Sequence, residues 1–267
     1  MIREKLRKHG IKPDSNRDQH FLDDSKVAER MVEEAEFEGE ESILEIGAGI
    51  GNLTEKIAEK SEKVYAVEKD KKMVEVLQEE LSGREDVETI HGDINKIELP
   101  EYDKCISNPP YHLSSEIVEK LGRKGKLSVL MLQKEFAERI VAEPGNSDYS
   151  RITVLTNLYF IPVFLENVPK DSFYPEPEVD SAIVKLYPRK DKFGIEDEEW
   201  FLKIIRGLFT HRNKKTRNAF VDARHIIEIS KDEAKELRDK LPHSEERVKD
   251  LEMKKLGEIS NFLRKRL

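Results

Sequence analysis

The chain of 267 residues has a single cysteine, Cys105, which excludes an internal disulfide framework and suits a reducing compartment. No apolar run reaches the roughly 18–20 residues that a bilayer-spanning helix needs. The polar, mixed-charge N-terminus lacks the form of a secretory signal, so a cytoplasmic location is expected. An excess of positive charge is also missing. Lys and Arg number 47 against 55 Asp and Glu, a net charge of -8, which argues against nucleic-acid binding unless the basic residues cluster. The histidines are scattered and Cys105 stands alone, so no metal-ligand set is expected. There are no internal repeats, no low-complexity tracts and no surplus apolar stripe, which points to a monomer.

Apolar residues make up 37% of the chain and charged residues 38%, enough core for a folded domain under a heavily charged surface. The basic, polar first residues read as an arm ending at His20-Phe21-Leu22, followed by a helix over residues 25–35. Short apolar runs then alternate with helical patterns, as in an open α/β sheet that is mostly parallel. Strands are predicted over 42–46, 63–67, 87–91, 104–107, 127–132, 163–168 and 181–187, with a helix over 151–159. After Pro188 the strand pattern stops, and helices are predicted over 197–210, 214–223, 231–240 and 253–265. This divides the chain into a larger α/β domain, residues 1–187 with an arm to residue 24, and a small all-helical domain, residues 188–267.

Candidate functional residues fall just past the carboxyl ends of successive strands, where open α/β sheets place ligands. Glu45-Ile46-Gly47-Ala48-Gly49-Ile50-Gly51 ends a strand and opens a helix, and its glycines permit a tight turn and close approach to a ligand. Glu68 ends the next strand, where a carboxylate can accept from two ribose hydroxyls. A dinucleotide would satisfy both features, but the E-x-G-x-G-x-G spacing is not G-x-G-x-x-G, and Glu45 would set an anion beside a pyrophosphate. Near a sulfonium and an ammonium the same charge helps, which favours S-adenosylmethionine. Asp93, after the third strand, can accept from an adenine amine, although alone it would read as a helix cap.

Asn108-Pro109-Pro110-Tyr111 follows the fourth strand and is the most specific signal in the chain. The lone pair of an aromatic amine such as adenine N6 is delocalised into the ring, so the nitrogen is a poor nucleophile. Two acceptors that hold both of its hydrogens draw it toward tetrahedral geometry. The Asn108 side-chain oxygen and the Pro109 carbonyl can be that pair, and Tyr111 offers a stacking face for an extruded base. A second cluster, Arg206, Arg212, Lys214, Lys215 and Arg217, has few acids near it in sequence and reads as a phosphate-contacting face.

With these residues in order, the chain resembles the ribosomal RNA adenine dimethyltransferases, the family of the kasugamycin-resistance enzyme and its archaeal and eukaryotic relatives. Gln19-His20-Phe21-Leu22 is similar to the family's N-terminal Q-[NH]-F-L motif, which implies that His20 and Leu22 contact the cofactor, and the resemblance gives Asn108 a place beside the cofactor as well as the target amine. The segment from Phe173 to Ala182 resembles F-x-P-x-P-x-V-D-S-A, in which the phenylalanine packs on the target base; by its chemistry alone Phe173 fits a core position equally well. Phe209 to Asn218 resembles a stretch of the family's RNA-binding domain. Pro109 stands where relatives carry Leu or Ile, a change that leaves the carbonyl role intact. The resemblance implies a Rossmann-like class I methyltransferase fold with a mostly parallel seven-stranded sheet. It also implies S-adenosylmethionine as cofactor and N6,N6-dimethylation of two adjacent adenines in the 3′-terminal hairpin loop of 16S rRNA, within a pre-30S particle. Two alternatives stay open: a large-subunit methylase of the erythromycin-resistance type, and an assembly factor whose main work is binding.

Overall fold

The computed structural model describes residues 2–13 and 19–267; residues 1 and 14–18 of the arm lie outside the described residues. In chain order the first elements are α1 (Ile2–Lys8), β1 (Phe21–Leu22), α2 (Ser25–Glu33), β2 (Ser42–Ile46), α3 (Asn52–Ala58), β3 (Lys63–Glu68), α4 (Lys71–Glu80) and β4 (Val87–His91). They are followed by β5 (Lys104–Ser107), α5 (Ser114–Lys124), β6 (Ser128–Gln133), α6 (Lys134–Ile140), α7 (Arg151–Tyr159), β7 (Phe160–Val168), β8 (Phe173–Tyr174) and β9 (Ser181–Pro188). Seven strands form one sheet in the order β4-β3-β2-β5-β6-β9-β7. Neighbours from β4 to β6 run parallel, and β9 is antiparallel to β6, so the sheet is mixed but mostly parallel. The chain leaves β2 toward β3 and β4 on one side and returns to β5 and β6 on the other. The resulting switch point lies between β2 and β5, the place where such sheets bind ligands.

Why these residues form these strands follows from burial. Ile43, Leu44, Ile106, Val129, Leu130 and Met131 are all 0% exposed, because helices cover both faces and the central strands become continuous apolar runs rather than alternating ones. The helix after β1 begins where the Asp24 side chain accepts from the Lys26 and Val27 amides.

Two elements depart from the sequence reading. The polar first residues contain α1, held by Ile2 and Leu6 on one face, which pack in a cluster with Ile11, Ile50, Met73 and Val76. Only two apolar residues carry it, too few to register as a period. The arm also contributes β1, which pairs antiparallel with β8 so that Phe21 faces Tyr174 and Leu22 faces Phe173. This ladder joins two motifs that are more than half the chain apart in sequence.

The chain divides into two compact units: Met1–Ala137 with Pro162–Pro188, and Glu138–Ile161 with Arg189–Leu267. A single cut after Tyr187 follows the chain order, but it leaves Glu138–Ile161 on the other side. The reason is α7, whose buried Val154 and Leu158 belong to a helix packed against α8 (Glu198–Phe209) and α12 (Met253–Arg264). Between those two come α9 (Thr216–Asp222), α10 (Arg224–Ile227) and α11 (Lys231–Arg238). Phe201, Ile204, Leu208, Phe220 and Leu256 make a fully buried centre for this helical unit. Among the described residues no helix is long and apolar enough to cross a membrane.

Candidate active site

A cavity of about 520 Å³ opens beyond the carboxyl ends of β2, β3, β4 and β5. Its wall includes all eight residues assigned to the cofactor from sequence: His20, Leu22, Glu45, Gly47, Gly49, Glu68, Asp93 and Asn108.

The turn after β2 is shaped by its glycines. Gly47 has φ +77°, and its N–H donates to the Val67 carbonyl at 2.8 Å. A Cβ there would stand 3.0 Å from Pro110 Cδ and 3.6 Å from Pro109 Cα, so the glycine turn and the N-P-P-Y turn are in direct contact. Gly49 has φ +56° and donates to Glu68 Oε2 at 2.9 Å; a side chain in its place would strike the Phe21 ring. Both positions require glycine for conformation and for space.

The two glutamates differ sharply. Glu68 Oε1 accepts from the Lys69 and Asp70 amides, each at 2.8 Å, while Oε2 takes the Gly49 amide. Burial nevertheless pushes its pKa up. A carboxylate has about four acceptor positions, so three are already filled. Two ribose hydroxyls would therefore have to share an oxygen with one of these amides. Glu45 is 2% exposed, and its Oε2 has no hydrogen-bond partner. Burial, with the charge of Glu68 adding to it, pushes the Glu45 carboxyl up to about 8. Such a group lacks only a cation to stabilise its charged form. An orphaned acid in the wall, beside turns that exclude any Cβ, fits a cationic ligand held against bare backbone.

Asp93 serves two local partners: Oδ1 accepts from the Asn95 amide at 3.0 Å, and Oδ2 pairs with Lys69 Nζ at 2.9 Å. Lys69, and then the Asn95 amide, hold its carboxyl below the usual aspartate range. No helix begins here, so Asp93 is not a helix cap; it holds the turn after β4 and stands on the cavity wall. Preceding it, Gly92 tolerates no side chain, since a Cβ would lie 2.4 Å from Ile97 Cγ2.

Asn108 follows β5, which Ser107 ties to β2 by donating to the Ile46 carbonyl at 2.6 Å. The Asn108 amide nitrogen donates to the His20 carbonyl at 3.4 Å, which leaves its Oδ1 as an acceptor. His20 Nδ1 in turn lies 2.8 Å from the Pro175 carbonyl. Arm, N-P-P-Y turn and the proline-rich loop after β8 are therefore linked through these hydrogen bonds.

The two aromatic residues predicted for the reacting base stand elsewhere. Pro109 is buried, and the role read for it belongs to its backbone carbonyl. Tyr111 begins a single 3-10 turn that carries its ring inward, where it is 9% exposed and its hydroxyl bonds Ser181 Oγ. Phe173, 2% exposed, points into the core opposite Leu22. The stacking faces expected of Tyr111 and Phe173 are covered, because each motif specifies an aromatic residue but not the direction its ring takes. Conversely, Lys69, Met73 and His112 line the cavity without having been singled out. Lys69 could have been found from its place beside Glu68 at a strand end; the other two carry no sequence signal.

The basic cluster lies wholly in the helical unit. Arg206 is exposed on α8, and Arg212 Nη1 donates to the Tyr149 carbonyl at 2.7 Å. Lys214 pairs with Asp222 at 2.7 Å, Lys215 with Glu245 at 2.6 Å, and Arg217 with Glu245 and Asp239. The scarcity of acids read from the local sequence is corrected here: three carboxylates arrive from later in the chain.

A model of the ribosomal RNA adenine dimethylase family matches residues 12–263. The chain belongs to the ribosomal RNA adenine dimethylase family. It is 44% identical over 266 residues to the Methanosarcina mazei protein named "Probable ribosomal RNA small subunit methyltransferase A", spanning 98% of this chain and 97% of that one. A protein of the same name from Thermococcus sibiricus is 38% identical over 263 residues, covering 97% and 95%. Among solved structures, a dimethyladenosine transferase from Plasmodium falciparum superposes with a TM-score of 0.80 at 28% identity, over 92% of this chain and 98% of that one. The 23S rRNA methyltransferase ErmE gives a TM-score of 0.65 at 25% identity, over 91% and 99%. Membership accounts for the order of motifs around the cavity, and the family's methyltransferase fold is the one observed.

Proposed function

We propose that this chain dimethylates adenine N6 in small-subunit ribosomal RNA, using S-adenosylmethionine, and that its targets are two adjacent adenines of the 3′-terminal hairpin loop. The observation that carries the reading is Asn108: it stands on the cavity wall next to the glycine turn, with its amide nitrogen engaged by the His20 carbonyl and its oxygen left to accept. S-adenosylmethionine supplies an electrophilic methyl group on a sulfonium. Glu45 faces the positive charge of that ligand, Glu68 the ribose and Asp93 the adenine amine. Asn108 Oδ1 and the Pro109 carbonyl accept the two N6 hydrogens and expose the nitrogen lone pair, so no general base is needed before attack. Catalysis is then positioning with electrostatics.

Small-subunit RNA is favoured over large-subunit RNA because relatives up to 44% identical bear the small-subunit name, against 25% for ErmE. The 206–217 face contacts the RNA backbone in this reading, and the protein acts as a cytoplasmic monomer on a precursor particle of the small subunit. The test incubates protein and labelled S-adenosylmethionine with unmethylated small subunits, large subunits and duplex DNA, then maps products by nuclease digestion and mass spectrometry. Dimethyladenosine confined to the 3′-terminal hairpin of small-subunit RNA is expected. Label only in large-subunit RNA or DNA would overturn the substrate, and no label despite cofactor binding would favour an assembly factor.

A further inference from the structure

The helical unit has a concavity of its own, about 430 Å³, lined by Lys214, Asn218, Val221 and Asp222 from the α9 region and by Arg238 at the end of α11. α9 and α11 pack against each other, which fixes the two walls. Arg238 Nε is buried without a hydrogen-bond partner, and its neighbour carboxylate Asp239 stands 3.7 Å away, outside hydrogen-bond reach. Arg217 Nε is buried and unpartnered in the same way. A guanidinium with an unmet Nε donor at a cavity wall calls for an oxygen acceptor.

The carboxylates in reach are overcommitted. Asp239 is shared by Arg217 and Arg238, and Glu245 is shared by Lys215 and Arg217, while Asp222 takes Lys214. Three acids thus serve four cations. These are pairs with substantial exposure, worth little in water and readily exchanged for other anions. Asp222, standing in the concavity itself, also selects the class of anion. A singly charged phosphodiester is tolerated beside it, whereas a phosphate dianion meets more repulsion.

We propose that Arg238 and Lys214 form a subsite for an RNA phosphodiester, and that Asp239 and Glu245 are internal counter-ions which the RNA backbone displaces. This extends the contact face beyond residues 206–217 onto α11, and it rests on the reading of the chain as an RNA methyltransferase. Internal counter-ions weaken binding to any polyanion that cannot engage several cations at once, so they favour a folded RNA target over isolated strands.

The test measures binding of the full chain to unmethylated small-subunit rRNA, and to polyadenylate, across a range of salt. Arg238→Ala should weaken rRNA binding several-fold and lower the log–log salt slope by about 0.7–0.9, one phosphate contact. Arg238→Lys should keep the slope while losing part of the affinity, since charge remains and the planar fork is gone. Glu245→Gln should tighten binding several-fold, an effect that a damaged fold cannot mimic. Unchanged affinity and slope in Arg238→Ala, or weaker binding in Glu245→Gln, would overturn the subsite. If the wild type methylates no small-subunit RNA yet both variants shift polyadenylate binding in these directions, the subsite stands and the functional reading falls. Methylation by the wild type with neither variant altering binding sinks the subsite alone.

Discussion

Glu45 in the strand-end cavity keeps a carboxylate oxygen with no partner at 2% exposure, while Lys215 on the helical unit stands in solvent with Glu245 at 2.6 Å. The first region holds a buried acid that its own fold leaves unpaired; in the second, exposed pairs such as this one exchange readily with other anions. A buried orphan costs stability until a ligand arrives, so it marks a site built around a specific partner. Paired surface charges cost little, so they suit a partner that is met transiently and at many points. The cavity would then set chemistry and the helical unit would set address.

That contrast can be broken most decisively at Glu68. Glu68→Ala removes the acceptor that holds the Gly49, Lys69 and Asp70 amides, and so loosens the glycine turn as well as losing the proposed ribose contact. Affinity for S-adenosylmethionine, measured by calorimetry, should fall by about 10²-fold or more. A variant in the helical unit such as Lys215→Ala should leave that affinity unchanged.

The next effect concerns pH. Glu45 carries a folded-state pKa of about 8 against an ordinary 4.5, so between those values the folded protein holds a proton that the unfolded chain has lost. The wild type without ligand should therefore lose stability as pH rises from about 4.5 to 8. Glu45→Gln, which cannot ionise, should escape this loss and gain on the wild type by up to a few kcal/mol at the alkaline end, as read by urea unfolding at pH 5 and pH 9. Parallel pH profiles would show that Glu45 is not the strained group described.

Smaller effects sharpen the reading of the basic face, because its members are not equivalent. Arg212→Ala removes a charged donor from the Tyr149 carbonyl and should destabilise the protein by about 1–3 kcal/mol in thermal unfolding. Lys215→Ala should stay within about 0.5 kcal/mol, since it breaks only an exposed pair. Equal losses would mean that the ion pairs are structural, and the face would no longer be a poised contact surface.

How much could be read from the sequence differs between the regions for the same reason. Strand ends in a parallel sheet converge by topology, so Glu45, Glu68, Asp93 and Asn108 could be brought to one place from strand order alone, and all four line the cavity. The glycines at 47 and 49 announce a backbone that no other residue adopts easily. No comparable rule brings Asp239 and Glu245 to Arg217 and Lys215, because helix packing in a small bundle is set by side chains far apart in the chain. Ring direction was likewise hidden for Tyr111 and Phe173, where a one-residue change of face separates core from cavity. The assignment of Glu138–Ile161 to the helical unit depends on what α7 packs against, not on its own pattern.

The account stands or falls on Asn108 acting as an acceptor for the amine and not only as a part of the cofactor cradle. Single-turnover methylation of unmethylated small subunits by Asn108→Ala, at saturating S-adenosylmethionine and with cofactor binding measured alongside, separates the two. A rate lowered by about 10²-fold or more, with cofactor affinity kept within about tenfold, is the predicted result. A rate close to that of the wild type would contradict it.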